Sequence, residues 1–202
     1  MNTRRKLQAG GTLNPRQHIY IERPEDTELL RFLRAGEYVN ILTPRQMGKS
    51  SLMVRTLYSL REAGVRTASI DLAAELSGEQ EAERWFRGFV SKLVRELDLT
   101  LDVGAWCREH ENDTTGQRLQ RFFRDVACTK IPAPTAITIF LDEIDSTLKH
   151  PFTDGLFTAI RGMYNERSLV PAYGRVTFCL LGVATPNELI KDHRTTAYNI
   201  GR

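Results

Sequence analysis

Residues 38–42, 65–72, 136–142 and 176–182 are short β-rich runs, largely apolar on both faces, and between them lie longer stretches whose apolar residues recur every three or four positions. This alternation constrains the fold more than any other feature. Strands apolar on both faces must be covered on both faces, and strands joined through helices run parallel. The expected architecture is a three-layer α/β fold, a parallel sheet flanked by helices. Residues 50–60 are expected to form a helix with Leu52, Leu57 and Leu60 near one face and Gly64 as its stop. Residues 79–97 follow with Trp85, Phe86, Phe89, Val90, Leu93, Val94 and Leu97 at helical spacing. Further helices are expected over about 115–128, capped by Thr114 or Thr115, and over about 154–164. Ligands of such sheets bind at the carboxyl ends of the strands, so polar residues there carry the functional signal.

The chain has 202 residues, 41% hydrophobic and 26% charged, which suits one soluble domain and excludes a disordered or collagen-like chain. Its longest apolar runs, such as 139–141 and 178–181, are strand-length, far below the roughly 20 residues a bilayer-spanning helix needs. Arg4, Arg5 and Lys6 are followed by Ala9-Gly10-Gly11, where a secretory signal would need an apolar core, so the cytoplasm is the expected compartment. Cys107, Cys128 and Cys179 form an odd set without C-x-x-C spacing, which suggests neither a disulfide framework nor zinc but buried or incidental thiols. His18, His110, His150 and His193 are too scattered for a metal set or a triad. Residues 1–23 hold five of the 28 Lys/Arg and one of the 25 Asp/Glu, so beyond them 23 basic residues face 24 acidic ones. A body so close to neutral gives no case for non-specific nucleic-acid binding, and no helix-turn-helix or aromatic-basic stripe supports it.

The first chemical signal follows the strand Val39-Asn40-Ile41-Leu42. There Thr43-Pro44-Arg45-Gln46-Met47-Gly48-Lys49-Ser50-Ser51 leads into a helix and fits G-x-x-x-x-G-K-[ST], with Thr43 in place of the first glycine. Gly48 lets the backbone approach phosphates, and successive N–H groups from Gln46 to Ser51 converge at a helix N-terminus. Lys49 would neutralise β/γ-phosphates and the Ser50 hydroxyl would ligate Mg²⁺. The alternative is a helix start that merely contains Gly-Lys; placement between a buried strand and an amphipathic helix favours the phosphate loop. Pro44 lacks an N–H and biases Thr43 toward extended backbone, so the loop entry is expected to be rigid.

The second signal is the strand 136–142 ending in Asp142-Glu143-Ile144-Asp145. Two adjacent acids at a buried strand end are costly unless a cation or water meets them. Beside a phosphate loop, Asp142 would hold Mg²⁺ and Glu143 would polarise the attacking water; the alternative is that they cap the next loop. Asp145 reads either as part of this set or as an ordinary N-cap. The last strand runs into Thr185-Pro186-Asn187-Glu188, where Thr185, or else Asn187, would sit beside a γ-phosphate; Asn187-Glu188 reads equally as a helix cap.

Gly11-Thr12-Leu13, Tyr20-Ile21-Glu22-Arg23, Gly36-Glu37-Tyr38, Arg45 to Leu52, Phe140 to Ser146, Tyr164-Asn165-Glu166-Arg167 and Leu181 to Pro186 together resemble the bacterial AAA-like domain of STAND-type P-loop ATPases, over nearly the whole chain beyond residue 10. Members of that family also tend to lack the first loop glycine. The resemblance implies an AAA-type strand order, 2-3-4-1, with ATP/ADP and Mg²⁺ as ligands. It also implies a switch role in signalling proteins, ahead of β-propeller or helical repeats or behind an effector module. Tyr20 to Arg23 matches the segment that lies against adenine and ribose in related ATPases, or else packs as a simple strand. Family members continue past the position of Arg202 into a fifth strand and a helical lid. The implied plan is a flexible basic arm over residues 1–10 and an AAA-like domain over 11–202, incomplete at its C-terminus. The phosphate-loop strand would then be a sheet edge, open to a second copy or a partner protein. Arg194, or else Arg202, would act in trans in an oligomer, or is a solvated surface residue. The expected function is Mg²⁺-dependent ATP binding with weak hydrolysis. The alternative is a non-catalytic nucleotide-binding interaction module, or a fragment of a larger AAA-like protein.

Overall fold

Residues 21–44, 46–75, 81–150 and 154–183 are described by the computed structural model. Four strands form one parallel sheet: β1 (Val39–Leu42), β2 (Arg66–Asp71), β3 (Ile137–Asp142) and β4 (Val176–Gly182). Their spatial order is β1-β4-β3-β2, the expected 2-3-4-1 order seen from its other end. Leu42 pairs with Gly182, Ile139 with Phe178 and Asp71 with Asp142, so the carboxyl ends of all four strands lie on one rim. β3 and β4 are buried along their whole length, as central strands with apolar residues on both faces must be. Among the described strands β1 pairs only with β4.

The helices, in chain order, are α1 (Pro24–Arg34), α2 (Lys49–Glu62), the single turn α3 (Leu72–Glu75), α4 (Ala82–Glu96), α5 (Val103–Glu109), α6 (Thr115–Arg121), the short α7 (Cys128–Lys130) and α8 (Asp154–Glu166). The strand period of two divides their work. Phe140, Cys179 and Leu181 pack with Leu29, Leu33, Leu52, Leu57 and Leu60 of α1 and α2 on one face. Ile139, Leu141, Phe178 and Leu180 pack with the aromatic stripe of α4 and with α6 and α8 on the other. Each large side chain so buried contributes roughly 1.5–3 kcal/mol. All three cysteines are buried and free. Among the described residues no helix is long and apolar enough to cross a membrane.

The expected helix over 115–128 is present but not uniform. Thr114 caps it, its hydroxyl accepting from Gln117 N–H while the Gln117 side chain accepts from Thr114 N–H. A π turn, Phe122–Ala127, then interrupts the α pattern. Phe122 and Phe123 are consecutive yet both wholly buried, and a π turn sets neighbouring side chains closer in angle than an α turn does. Gly64, at φ 81°, follows the end of α2 as expected. Helices α1, α3 and α5 are additions to the sequence reading, and Leu72, expected to end a strand, begins α3. α1 starts with Pro24 at its first position and with the Asp26 carboxylate accepting from Arg23 N–H at 2.8 Å.

Arg175, at the entry to β4, donates to the carbonyls of Thr135, Cys128 and Ile131 at 2.6–3.0 Å and so fastens the loop before β3 to the start of β4. Arg175→Ala is expected to cost about 2–3 kcal/mol in urea unfolding, because several inward-facing carbonyls lose their donor. Arg31→Ala, on the exposed side of α1, is expected to stay within about 0.5 kcal/mol of the native chain.

Candidate functional site

The turn between β1 and α2 is built on two left-handed residues, Gln46 at φ 65° and Gly48 at φ 81°. Gly48 is the N-cap of α2. A Cβ there would lie 3.7 Å from the Arg23 guanidinium, an ordinary contact, so it is the backbone conformation and not lack of space that calls for glycine. Thr43, which replaces the pattern's first glycine, is not among the positive-φ residues. This loop therefore has no conformational need for glycine at its entry.

The first turn of α2 directs its N–H groups out of the helix end, a setting that favours anions. Lys49 is buried at 8% exposure, and its ammonium donates to the carbonyls of Thr43 at 2.8 Å and Pro44 at 3.3 Å, closing the loop on itself. Ser51 is buried, whereas Gln46 and Met47 are exposed. Arg23 reaches the loop from the start of α1 and donates to the Met47 carbonyl at 3.2 Å, while Glu22 pairs with Arg55 of α2. A cavity of about 440 Å³ opens beside the loop along the side of β1 away from β4, lined by Arg23, Leu29, Phe32, Ile41, Thr43 and Lys49 among others.

Asp142 ends β3 on the same rim. Its Oδ2 accepts from the Ser50 hydroxyl at 3.1 Å, and its Oδ1 accepts from Glu143 N–H at 2.9 Å. Burial, with a smaller contribution from Asp71 across the register, pushes its carboxyl above the ordinary range. The Glu143 amide, the Ser50 hydroxyl and the Lys49 ammonium pull the other way without cancelling it. A bound cation would relieve that imbalance. The donor set also suits Mg²⁺, which takes one or two protein oxygens and completes its shell with water and phosphate. Among the described residues no group of three or more His, Cys, Asp or Glu forms a closed metal cage.

Glu143 is half-buried and left-handed at φ 54°. Both the amide and the hydroxyl of Ser146 donate to its carbonyl, at 3.0 and 2.7 Å, and hold the turn that follows β3. Asp145 is no helix cap: its Oδ2 accepts from Val183 N–H at 2.7 Å, just past β4. Thr43 N–H in turn donates to the Gly182 carbonyl at 3.1 Å. The structure thus brings Arg23, the loop from Gln46 to Ser51, Asp142 and Glu143 to one rim. Arg45, Tyr20, Thr185, Asn187 and Arg194, together with the arm over residues 1–10, lie outside the described residues. Asp71 is the site neighbour that the sequence reading passed over; its acidic position at the end of a β-rich run was the available signal.

The sequence profile of the AAA-like domain family matches residues 8–202. An uncharacterized WD repeat-containing protein of Synechocystis sp. is 39% identical over 198 residues, which cover 96% of this chain and 16% of that protein, so the chain spans only a small part of its length. Among solved structures, the Walker-type ATPase of Pyrococcus abyssi is similar with a TM-score of 0.58 at 14% identity, covering 92% of this chain and 52% of that one. The ORC2 protein of Aeropyrum pernix, in its ADPNP-ADP complexes, gives a TM-score of 0.54 at 18% identity, covering 85% of this chain and 41% of that one. At such identities the likeness is one of fold: a four-stranded parallel sheet flanked by helices, as in P-loop NTPases.

Proposed function

The chain belongs to the AAA-like domain family, and from that premise we propose that it binds ATP with Mg²⁺ at the loop following β1 and hydrolyses it slowly, as the regulatory ATPase domain of a cytoplasmic STAND-type signalling protein. The observation that carries this reading is the 3.1 Å hydrogen bond between Ser50 and Asp142, residues 92 positions apart that meet at the mouth of the loop. The amides from Arg45 to Ser51 cradle the β- and γ-phosphates. Lys49 transfers its ammonium from the Thr43 and Pro44 carbonyls to phosphate oxygens. Arg23, and Tyr20 by the resemblance, would contact the base and ribose. Ser50 and Asp142 would hold Mg²⁺, which when bound supplies neutralisation of the phosphate charge. Glu143 accepts a proton from the water whose oxygen bonds to the γ-phosphorus, while the bond from that phosphorus to the bridging oxygen breaks and its electron pair leaves with ADP. Thr185, or Asn187, contacts the γ-phosphate, and Arg194 acts in trans if copies assemble. The regulatory role is supported by the resemblance and by the relative, a WD repeat-containing protein of which the match covers 16%. The side of β1 away from β4 would receive a further strand or a partner protein.

Calorimetric titration of the full chain is expected to show saturable ATP binding that weakens about tenfold or more when EDTA removes Mg²⁺, as for loss of one charge-assisted contact. Ser50→Ala should erase that difference. Absence of binding, or affinity indifferent to Mg²⁺ in the native chain, would refute the reading.

A further inference from the structure

The carbonyl of Gly182 and the N–H of Val183 belong to one peptide unit, and that unit touches both halves of the site. Its carbonyl accepts from Thr43 N–H, at the root of the phosphate loop, at 3.1 Å. Its N–H donates to Asp145 Oδ2, in the turn that carries Glu143, at 2.7 Å. A peptide unit is planar and stiff, so rotating one end rotates the other. The fit around it is close: a Cβ on Gly182 would lie 2.5 Å from Ile144 Cγ1 and 2.8 Å from Asp145 Oδ2, nearer than any side chain can be packed. The Glu143 turn is wound tightly enough to present Asp145 there, with Glu143 left-handed and its carbonyl held twice by Ser146.

We propose that Asp145 is a positioning residue that, through the Gly182–Val183 peptide, sets the Glu143 turn against the phosphate loop, so that a nucleotide seated on the loop orders the turn. The proposal rests on the ATP-binding reading above. Val183 is half exposed, at 50%, so water can replace a lost acceptor there and removing the bond costs placement more than folding.

In the full chain, Asp145→Ala is expected to lower kcat about 10- to 100-fold, the scale of a slightly misplaced reacting group, with KM within about threefold of the native value. Asp145→Asn retains an acceptor oxygen and is expected to keep kcat within about threefold. Amide exchange provides a readout independent of turnover: added ATP should slow exchange over residues 143–146 in the native chain and in Asp145→Asn, but not in Asp145→Ala. No ATP binding by the native chain would overturn the functional reading and this inference together. Binding in the native chain with equal exchange behaviour in all three proteins would overturn the inference alone. So would a loss confined to KM in Asp145→Ala, or equal kcat losses in the two variants.

Discussion

Lys49→Ala is expected to weaken ATP binding at least about a hundredfold, the equivalent of roughly 3 kcal/mol, measured with a fluorescent nucleotide in the presence of Mg²⁺. Two losses combine. Among the described residues of the loop the Lys49 ammonium is the one charged group, and a charge-assisted bond to phosphate in a partly dry site contributes about 1.5–3 kcal/mol. Its removal also leaves the carbonyls of Thr43 and Pro44, 2.8 and 3.3 Å from that nitrogen, without the donor that closes the loop before nucleotide arrives. The substituted loop is then less well organised to receive an anion. Lys49→Arg should not rescue it, since a planar guanidinium cannot occupy the compact position of an ammonium held by two loop carbonyls. Native affinity in the alanine variant would remove the phosphate loop from the mechanism.

Glu143→Gln should separate binding from turnover. ATP affinity is expected to remain within about threefold of the native value, while phosphate release falls about 10²- to 10⁴-fold, the range of a lost general base. Glutamine has the same shape but accepts no proton at neutral pH. The variant should keep the local fold because the bonds that wind this turn run to the Glu143 backbone, from the Ser146 amide and hydroxyl, and not to its side chain. A glutamine variant hydrolysing at the native rate would show that another group takes the proton.

The parallel sheet was legible because β3 and β4 carry apolar residues on both faces and because the Gly-Lys-Ser and Asp-Glu signals each sit at a strand end, whereas the strand order came from the family resemblance alone. Helix α1 was harder to see: only Leu29 and Leu33 of its apolar residues are fully buried, and they share the buried set with the acid Asp26. The π turn was invisible to a search at helical spacing, since adjacent Phe122 and Phe123 match it only in part. At the site, the sequence marks Thr43 as a missing glycine, whereas the backbone turns left-handed at Gln46 and Gly48 instead. Side-chain identity alone does not disclose φ. Nor does spacing show that Asp145 serves Val183, a contact between segments joined only by the fold. Tyr20, Arg45, Thr185, Asn187 and Arg194 stand outside the described residues, so their roles rest on the resemblance and the chemistry of their side chains.

The position of β4 between β1 and β3 also fixes an order of events during synthesis. As the chain leaves the ribosome, β1 emerges early but finds no neighbour among the described strands until Val176–Gly182 has followed it out. Distant pairing of this kind is slow to establish. A nascent chain shorter than that has neither the Thr43–Gly182 bond nor the Asp145–Val183 bond, so the loop after β1 and the turn after β3 are still two separate pieces.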